Sequence, residues 1–237
     1  MNVLSIAQQC CLRTKEPRIS DLFNNLDNSN EWLGYIGQSS NQIASENEWS
    51  SILTDYEFTT AGGLQEYDLP SDFDSMKTYF IFNKTNNQLI FNESTDQYSM
   101  RVIAKNTSQS SIKFRLVGGK IKFTYPIVDG LDLIFSYISK NFVKFWDVDA
   151  MPDPAYVYRN EFLTNDDLFR INDELLILGA IYLRSLMNGF PDAQQRQADY
   201  TARLAQEIDK DGGKRRFNMF GDGIFFNKTT GTEYAQY

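Results

Sequence analysis

The sequence predicts an α+β fold. Helices at both ends of the chain form one bundle, and an antiparallel β domain, a sandwich or a small barrel, is inserted between them. Two observations predict it: apolar residues recur at helical spacing near both ends, and short β-prone runs of alternating polarity fill the middle. An extended carboxyl-terminal tail follows. The predicted division is residues 1–52 for the first helices, 53–145 for the β domain, 146–213 for a linker and helical hairpin, and 214–237 for the tail.

The first fifty residues predict two helices. The amino-terminal segment lacks the basic region and the continuous apolar core of a signal peptide, so a small packed helix is the better interpretation. Apolar residues follow one helical face in each predicted helix: Val3, Leu4, Ala7, Cys11 and Leu12 in the first, and Trp32, Ile36 and Ile43 in the second.

The middle of the chain predicts a series of β-hairpins. Two runs around residues 61–63 carry a hairpin signal, two strands flank the polar turn at 84–87, and two more flank Gly118-Gly119. In the two strands that flank Gly118-Gly119, apolar and basic residues alternate, which predicts one buried face and one solvent-exposed face. The segment LDLIFSYISKNF predicts a further long strand, and STDQYSMRVIAKN predicts a helix or an irregular crossing.

The segment DELLILGAIYLRSLMNGFPD, residues 173–192, predicts a helix that is apolar on every side. Its apolar run lies between Glu174 and Arg184 and is far shorter than the about 20 residues of a membrane span. We therefore expect burial inside a protein, within one chain or between subunits. Asn188-Gly189 ends this helix, and an amphipathic helix then runs to Gly212-Gly213. The candidates for the buried bundle or for subunit contacts are Leu176, Ile177, Leu178, Ile181, Leu204 and Ile208.

Composition narrows the classes of function. The formal net charge is −8 and GKRRF is a short, isolated basic cluster, so the chain lacks the basic face of a protein that grips nucleic acid. It contains no histidine, which removes Ser–His and Cys–His catalysis and every His-ligated zinc site. Cys10 and Cys11 cannot form a zinc site alone. We therefore predict no catalytic residue, no cofactor and no metal ion.

Carboxylates leave one enzymatic alternative open. Asp147, Asp149 and Asp153 lie close together in the sequence, and Asp166 and Asp167 follow. Neither run has the ligand spacing of an EF-hand loop, and a solvated loop is the default interpretation. The alternative hypothesis is a metal-dependent or carboxylate enzyme with its site among these residues.

The predicted tail is rich in aromatic residues and has no helical pattern. We expect it to dock on another surface, because large aromatic side chains are unfavourable in water. A last strand added to the chain's own sheet is the alternative. The aromatic candidates are Phe217, Phe220, Phe225 and Phe226, and the basic ones are Lys214, Arg215 and Arg216.

Three blocks of sequence carry a family resemblance. The first is NEWSSILTDYEFTTAGGLQEYDLPSDFDSM, the second is FRLVGGKIKF followed by LIFSYISKNFV, and the third is TNDDLFRINDELLILGAIYLRSLMNGFPDAQQRQADYTARLAQEIDKDGG. In this order they resemble the head-to-tail adaptor proteins of short-tailed bacteriophages, also called connector or tail tubular proteins. The resemblance covers roughly residues 48–213. The chain is longer than the family pattern after Gly213 and between Phe145 and Phe162.

The resemblance implies a structural virion protein without catalysis, made in the bacterial host cytoplasm and located at the head–tail junction. Such adaptors form a ring of about twelve copies beneath the portal protein. Genomic DNA passes through the lumen without specific binding, and a downstream tail protein, a nozzle or hub, attaches below. No membrane contact is implied. The carboxyl-terminal part commonly reaches the portal, so the basic and aromatic tail residues named above become candidates for the portal interface. A receptor- or sugar-binding β module on a helical stalk is the remaining alternative.

Overall fold

The computed structural model describes residues 1–24, 26–93, 112–147, 149 and 155–212, together with the backbone of two short strands within 213–237. The fold is α+β, as the sequence predicts, with helices near both ends and strands between them. The predicted helix or crossing at 94–106 lies outside the described residues.

Four α-helices are present in the described parts of the chain: α1 Val3–Thr14, α2 Asp27–Glu46, α3 Asp173–Met187 and α4 Ala193–Gly212. The helices α1, α2 and α4 each contact α3. In α1 the predicted apolar face is buried at Val3, Ala7 and Cys11, but Leu12 is exposed and Cys10 is buried. A 3-10 turn, Ser50–Ile52, leads from α2 to the first strand.

Local chemistry explains both ends of α3. The Asn172 side chain caps the first turn, because its oxygen accepts a hydrogen bond from the Leu175 backbone amide at 2.9 Å. At the other end Gly189 adopts a left-handed conformation with φ 64°. Its amide donates to the Leu186 carbonyl at 3.2 Å, and the Phe190 amide donates to the Ser185 carbonyl at 2.9 Å. This is a Schellman motif, as expected for the predicted Asn-Gly stop.

Eight strands form one curled mixed sheet. Their order is β1-β8-β4-β5-β6-β7-β2, and β3 pairs with β8 alongside β4. The strands are β1 Leu53–Thr59, β2 Glu66–Asp68, β3 Phe73–Met76, β4 Phe80–Asn83, β5 Gln88–Asn92, β6 Lys113–Val117, β7 Lys120–Phe123 and β8 Asp132–Ser139.

Strand pairing confirms two of the predicted hairpins and contradicts the third. The β4–β5 and β6–β7 pairs are antiparallel hairpins around the predicted turns. In contrast, β1 pairs with β8 and β2 pairs with β7, so the two strands flanking residues 61–63 do not pair with each other. The prediction of an antiparallel domain is also corrected, because β5 and β6 are parallel.

The segment at 60–65 fails to form a hairpin turn because it bonds to a distant loop. The Thr60 amide donates to the Leu131 carbonyl at 2.9 Å, and the Gly62 amide donates to the Asp129 carboxylate at 2.8 Å. These contacts lead the chain from one edge of the sheet to the other. The glycine-rich residues 61–63 therefore predict a bend in the chain, but they do not determine which strands pair.

A second sheet of three strands was not predicted. It contains β9 Val143–Asp147, β10 Ala155–Arg159 and β11 Leu168–Phe169 in the order β10-β9-β11. The predicted long strand LDLIFSYISKNF, residues 131–142, is observed as β8 and ends just before β9, which belongs to the other sheet. Strands β10 and β11 lie within residues 146–213, which the sequence analysis describes as a linker and helical hairpin.

Two hydrophobic cores meet at β8. Ile138 and the following Phe142 and Val143 pack into the core between the helices. Leu133 and Phe135, earlier on the same strand, belong to the core of the large sheet. Continuous backbone through both cores ties the helices to the sheet.

Candidate functional site

The all-apolar helix α3 is buried largely by its own chain. Leu176, Ile177 and Ile181 are at most 5% exposed. Leu178 is half-buried, as are Leu204 and Ile208 on α4, and all three pack against the same core. A helix with apolar residues on every side is thus covered by three neighbours, α1, α2 and α4.

At Gly179 side chains of both α2 and α4 lie against the backbone of α3. A Cβ atom placed there would overlap the Ser39 hydroxyl of α2 and would lie 3.1 Å from the Tyr200 ring of α4. Tyr200 stacks on Tyr182 with ring centroids 5.9 Å apart. Burial raises the pKa of Tyr200 to about 12, because loss of solvent disfavours the phenolate. These residues serve close packing around α3.

Asp167, one of the candidate carboxylates, organises a loop. It is fully buried and pairs with Arg159. It also accepts hydrogen bonds from the backbone amides of Leu163 at 2.6 Å and Thr164 at 3.0 Å, and from the Thr164 hydroxyl at 2.7 Å. Burial alone would raise the pKa of Asp167, but these partners outweigh it and hold that pKa below its usual range. The carboxylate is fully used inside the fold.

The same loop fixes the amino-terminal helix. The Val3 amide donates to the Asp167 carbonyl at 2.7 Å, and the Leu22 amide donates to the Asn165 side chain at 3.0 Å. The Asn165 side chain in turn donates to Asp21 at 2.7 Å. Residues 165–167 therefore bind the amino-terminal segment of residues 2–22, which gives this run a structural role.

Of the remaining carboxylate candidates, the described ones do not gather into one site. Asp147 accepts a hydrogen bond from the Asp149 amide at 3.0 Å in a short local turn. Asp166 is exposed and accepts one from the Asn2 side chain at 3.2 Å. Asp153 lies outside the described residues. Within the part of the chain that is described, no group of three or more His, Cys, Asp or Glu residues is arranged to hold a metal ion.

The two cysteines are both buried free thiols on α1. Burial raises the pKa of each, so neither is poised as a thiolate. Among the helices that are described, none combines the length and the apolar character that crossing a membrane requires.

An open cleft lies at the junction between the two sheets. Its volume is about 580 Å³. Its lining comes from β1, the loop before β3, the end of β8 and the turn after it, β10 and the residue after β11: Leu53, Thr54, Ser71, Asp72, Ser139, Asn141, Tyr156, Val157, Tyr158 and Arg170. Asp72 is held by the hydroxyl of Tyr137, which donates to it at 2.8 Å.

An exposed aromatic face adjoins this cleft. The register of the second sheet pairs Trp146 with Tyr156 and Lys144 with Tyr158, so the four side chains share one face. The Trp146 and Tyr156 rings have centroids 5.0 Å apart, and Lys144 lies over the Tyr156 ring. Trp146, Tyr156 and Tyr158 are each about half exposed. This face was not predicted, although the alternation in AYVYR was a signal for it.

Arg170 fixes the wall of the cleft. Its guanidinium donates to the carbonyls of Asn141 and Ser51, each at 2.7 Å, and lies 4.4 Å from the centre of the Tyr158 ring. Burial lowers the pKa of Arg170, which nevertheless remains charged at neutral pH. One side chain thus connects the turn after β8, the turn before β1 and the aromatic face.

The predicted tail residues fall largely beyond what is described. Lys214, Arg215, Arg216, Phe217 and Phe220 lie outside the described residues. Phe225 and Phe226 belong to strand β12, Ile224–Phe226, whose backbone pairs antiparallel with β13, Glu233–Ala235. The two strands form a separate hairpin and join neither of the other sheets, so the alternative of a last strand added to the main sheet is not observed among the described strands.

Two kinds of feature stand out in the described residues: buried ion pairs that hold loops and helices together, and half-exposed aromatic side chains beside an open cleft. The family model described as SU10 adaptor protein matches residues 1–221. The chain therefore belongs to the SU10 adaptor family, a family of bacteriophage head–tail adaptors. No match was found among curated proteins.

Proposed function

We propose that the protein is a head-to-tail adaptor that forms a ring of about twelve copies beneath the phage portal. The ring extends the DNA channel and provides the platform to which the downstream tail protein attaches. The observation that supports this role is the family match over residues 1–221, which spans nearly the whole chain. The role is structural and involves no catalysis or cofactor, and it locates the protein in the virion at the head–tail junction.

The proposal assigns a task to each part of the chain. The helices of residues 1–52 and 146–213 form the body of each subunit, and residues 53–145 project towards the tail. Ring closure requires a heterologous interface, in which one face of a subunit contacts a different face of the next. Half-buried Leu178, Leu204 and Ile208 are candidates at its edge. The acidic balance of the chain suits a channel that releases DNA, because like charges repel.

The carboxyl-terminal segment is the proposed portal anchor. Phe217, Phe220, Phe225 and Phe226 are large apolar residues of the kind that dominate interfaces. The cluster Lys214, Arg215 and Arg216 would orient the approach to an acidic portal rim. An isolated two-stranded hairpin such as β12–β13 is only marginally stable, so a partner that covers it would stabilise it.

Co-sedimentation with portal rings tests this function. We expect the intact chain to join the portal in a megadalton-scale complex, and a chain that ends at Gly213 to stay in the supernatant as a folded monomer. Circular dichroism checks that the shortened chain is folded. The double variant Phe225→Ala/Phe226→Ala should bind weakly, whereas the matched control Tyr79→Ala, at an exposed ring on another part of the surface, should bind normally.

Three results would separate the alternatives. If the shortened chain binds the portal as well as the intact one, the tail is not the anchor and the α3–α4 hairpin becomes the better candidate. If neither chain forms a large complex with the portal, the adaptor role itself is wrong. A protein that stays small and shows hydrolytic activity lost in Asp147→Asn/Asp149→Asn/Asp153→Asn would instead be an enzyme.

A further inference from the structure

A basic patch lies on the outer side of the large sheet, the side that faces away from its core. Phe114 and Ile121 belong to the core, so the residues that alternate with them on β6 and β7 lie on the outer side. The register places Arg115 directly opposite Lys122, and like charges in such a pair are unfavourable. Positive charge is thus concentrated here, in a chain whose net charge is −8. The basic residues of this patch are Lys113, Arg115, Lys120 and Lys122.

The neighbouring strand β2 neutralises only part of this charge. Glu66 pairs with Lys122, and Asp68 pairs with Lys120 at 3.4 Å. Among the described residues of β2, β6 and β7, four positive and two negative side chains leave a formal charge of +2. A hydrogen bond from Lys122, with the charges of two further basic residues, holds the pKa of Glu66 below its usual value. The patch therefore still attracts negative charge.

An acidic patch lies at the other end of the same outer side, on β1 and the start of β8. Tyr56 packs against the core, so Asp55 and Glu57 lie on the outer side. Asp132 of β8 joins them, and Lys84 pairs with Glu57 at 2.6 Å. Three negative charges and one positive charge leave a formal charge of −2 on this patch. The hydrogen bond to Glu57 and the nearby charge of Asp132 raise the pKa of Lys84, as expected where negative charge predominates.

The two patches lie far apart on one sheet and face different directions. In strand order β6 is four strands from β1, which corresponds to about 19 Å at about 4.8 Å per strand. The sheet curls, so its outer side turns between the two patches. One chain therefore presents a positive and a negative surface in different places. A heterologous contact between copies requires two different surfaces of this kind.

We propose that the basic patch of one subunit binds the acidic patch of a second copy, and that this contact repeats around the ring. The contact rests on the ring of the proposed function and adds to it a contact between neighbouring β domains. Charges of +2 and −2 attract when unlike patches meet, and like patches repel, which fixes the order of neighbours. The ion pairs inside each patch are partly exposed and contribute little, so their charges can pair across the contact. DNA is a weaker fit, because its phosphates would also meet the carboxylates of Glu66 and Asp68.

Charge reversal in the presence of portal rings tests this contact. Asp55→Lys/Glu57→Lys makes both patches positive, and Lys113→Glu/Lys122→Glu makes both negative. We expect the amount of either variant that co-sediments per portal ring to fall roughly tenfold, because neighbouring subunits then repel. An equal mixture of the two variants should recover assembly, because the two kinds of subunit can alternate around a ring with an even number of copies. The chain with all four substitutions, which keeps the net charge of −8, should also recover it.

The controls separate loss of this contact from loss of the fold and from a change in charge elsewhere. Asp149→Lys, at an exposed position outside both patches, should assemble like the unchanged protein. Thermal midpoints show whether each variant is folded. The neutral variant Lys113→Gln/Lys122→Gln, with a smaller expected loss, replaces a basic-patch variant that does not fold.

Three results would overturn the contact. The first is normal assembly of both single-patch variants, and the second is a mixture of the two that fails to recover assembly. The third is binding of double-stranded DNA by the unchanged protein that is lost in Lys113→Glu/Lys122→Glu, because the basic patch would then belong to DNA. If the unchanged protein itself does not join the portal, the adaptor role is wrong and this contact falls with it.

Discussion

Buried charges in this protein hold loops and helices together. Asp167 pairs with Arg159 and caps the turn at Leu163 and Thr164. Glu16 pairs with Arg184 in the same manner and accepts a hydrogen bond from the Trp32 indole at 3.1 Å. Removing one member of such a pair leaves the other charge without compensation, which is why these residues matter more for stability than exposed ion pairs.

Asp167→Asn should destabilise the fold. The change leaves the Arg159 guanidinium, which is 17% exposed, without its carboxylate, and we expect a loss of about 3 kcal/mol in the free energy of unfolding. Urea denaturation measures it. Asp166→Asn is the matched control, because its exposed side chain has only the Asn2 contact at 3.2 Å, and should change stability by less than about 0.5 kcal/mol.

The same carboxylate predicts a pH dependence. Its pKa is lowered in the folded state, so its stabilisation is complete above the ordinary value of 3.8 and is lost as the pH falls through the lowered value. The difference in stability between the unchanged protein and Asp167→Asn should therefore shrink below about pH 4. A difference that stays constant down to about pH 2 would show that Asp167 is not the titrating group.

Gly179 offers a second test at single residues. Alanine normally stabilises a helix interior relative to glycine by about 1 kcal/mol, but here its Cβ would overlap the Ser39 hydroxyl. We expect Gly179→Ala to destabilise by about 1–3 kcal/mol. Ser39→Ala should cost little, because this buried hydroxyl has no hydrogen-bond partner among the described residues. The double variant should recover part of the loss. Additive effects in the double-mutant cycle would contradict this contact.

At the scale of secondary structure, the apolar helix α3 is buried mainly by three neighbouring helices. It contacts α1, α2 and α4, and its buried residues run from Leu175 to Ser185, whereas Leu186 and Met187 at its end are more than half exposed. The change from buried to exposed occurs where the αα-hairpin turns away at Gly189. The helix is therefore a central packing element with an open apolar end.

A series of leucine truncations along α3 should follow this gradient. Leu176→Ala removes a fully buried side chain and should cost about 2–5 kcal/mol. Leu178→Ala, at a half-buried position, should cost about 1–2 kcal/mol in the isolated subunit. Leu186→Ala should be nearly neutral, within about 0.5 kcal/mol. Thermal or urea unfolding gives the order, and equal losses at all three positions would contradict the packing described for α3.

At the scale of the whole molecule, the core between the helices and the core of the large sheet are physically joined. They share β8, and Arg170 bonds both to the turn after β8 and to the turn before β1. The planar guanidinium donates to both carbonyls while it lies over the Tyr158 ring, an arrangement that the compact ammonium group of a lysine does not reproduce. This side chain therefore couples the helices to the large sheet.

Arg170→Ala should weaken that coupling. We expect a loss of about 2 kcal/mol, because two carbonyls lose their donor, and a broader unfolding transition as the two cores become less cooperative. Arg170→Lys should restore only part of the loss. Arg196→Ala is the control: its ion pair with Asp192 lies within one helix turn at the surface and should contribute about 0.5 kcal/mol or less. Calorimetry compares the widths of the transitions.

The sequence by itself determined the elements whose signals are local. The helix α3, its stop at Gly189 and the β4–β5 and β6–β7 hairpins were all predicted, because each depends on residues within a few positions of one another. The family assignment was also accessible, since the order of the sequence blocks carries it. The lack of histidine excludes several catalytic mechanisms on composition alone.

Only the tertiary structure decided how the strands pair and what lies between the cores. The separation of β1 from β2, the parallel β5–β6 pair and the sheet β10-β9-β11 depend on contacts between residues far apart in sequence. Turn residues mark a bend but leave the partner strand open, because strand register follows which faces are buried together. The cleft exists for the same reason: Leu53, Tyr158 and Arg170 meet only after both sheets are in place, and no local pattern could bring them together.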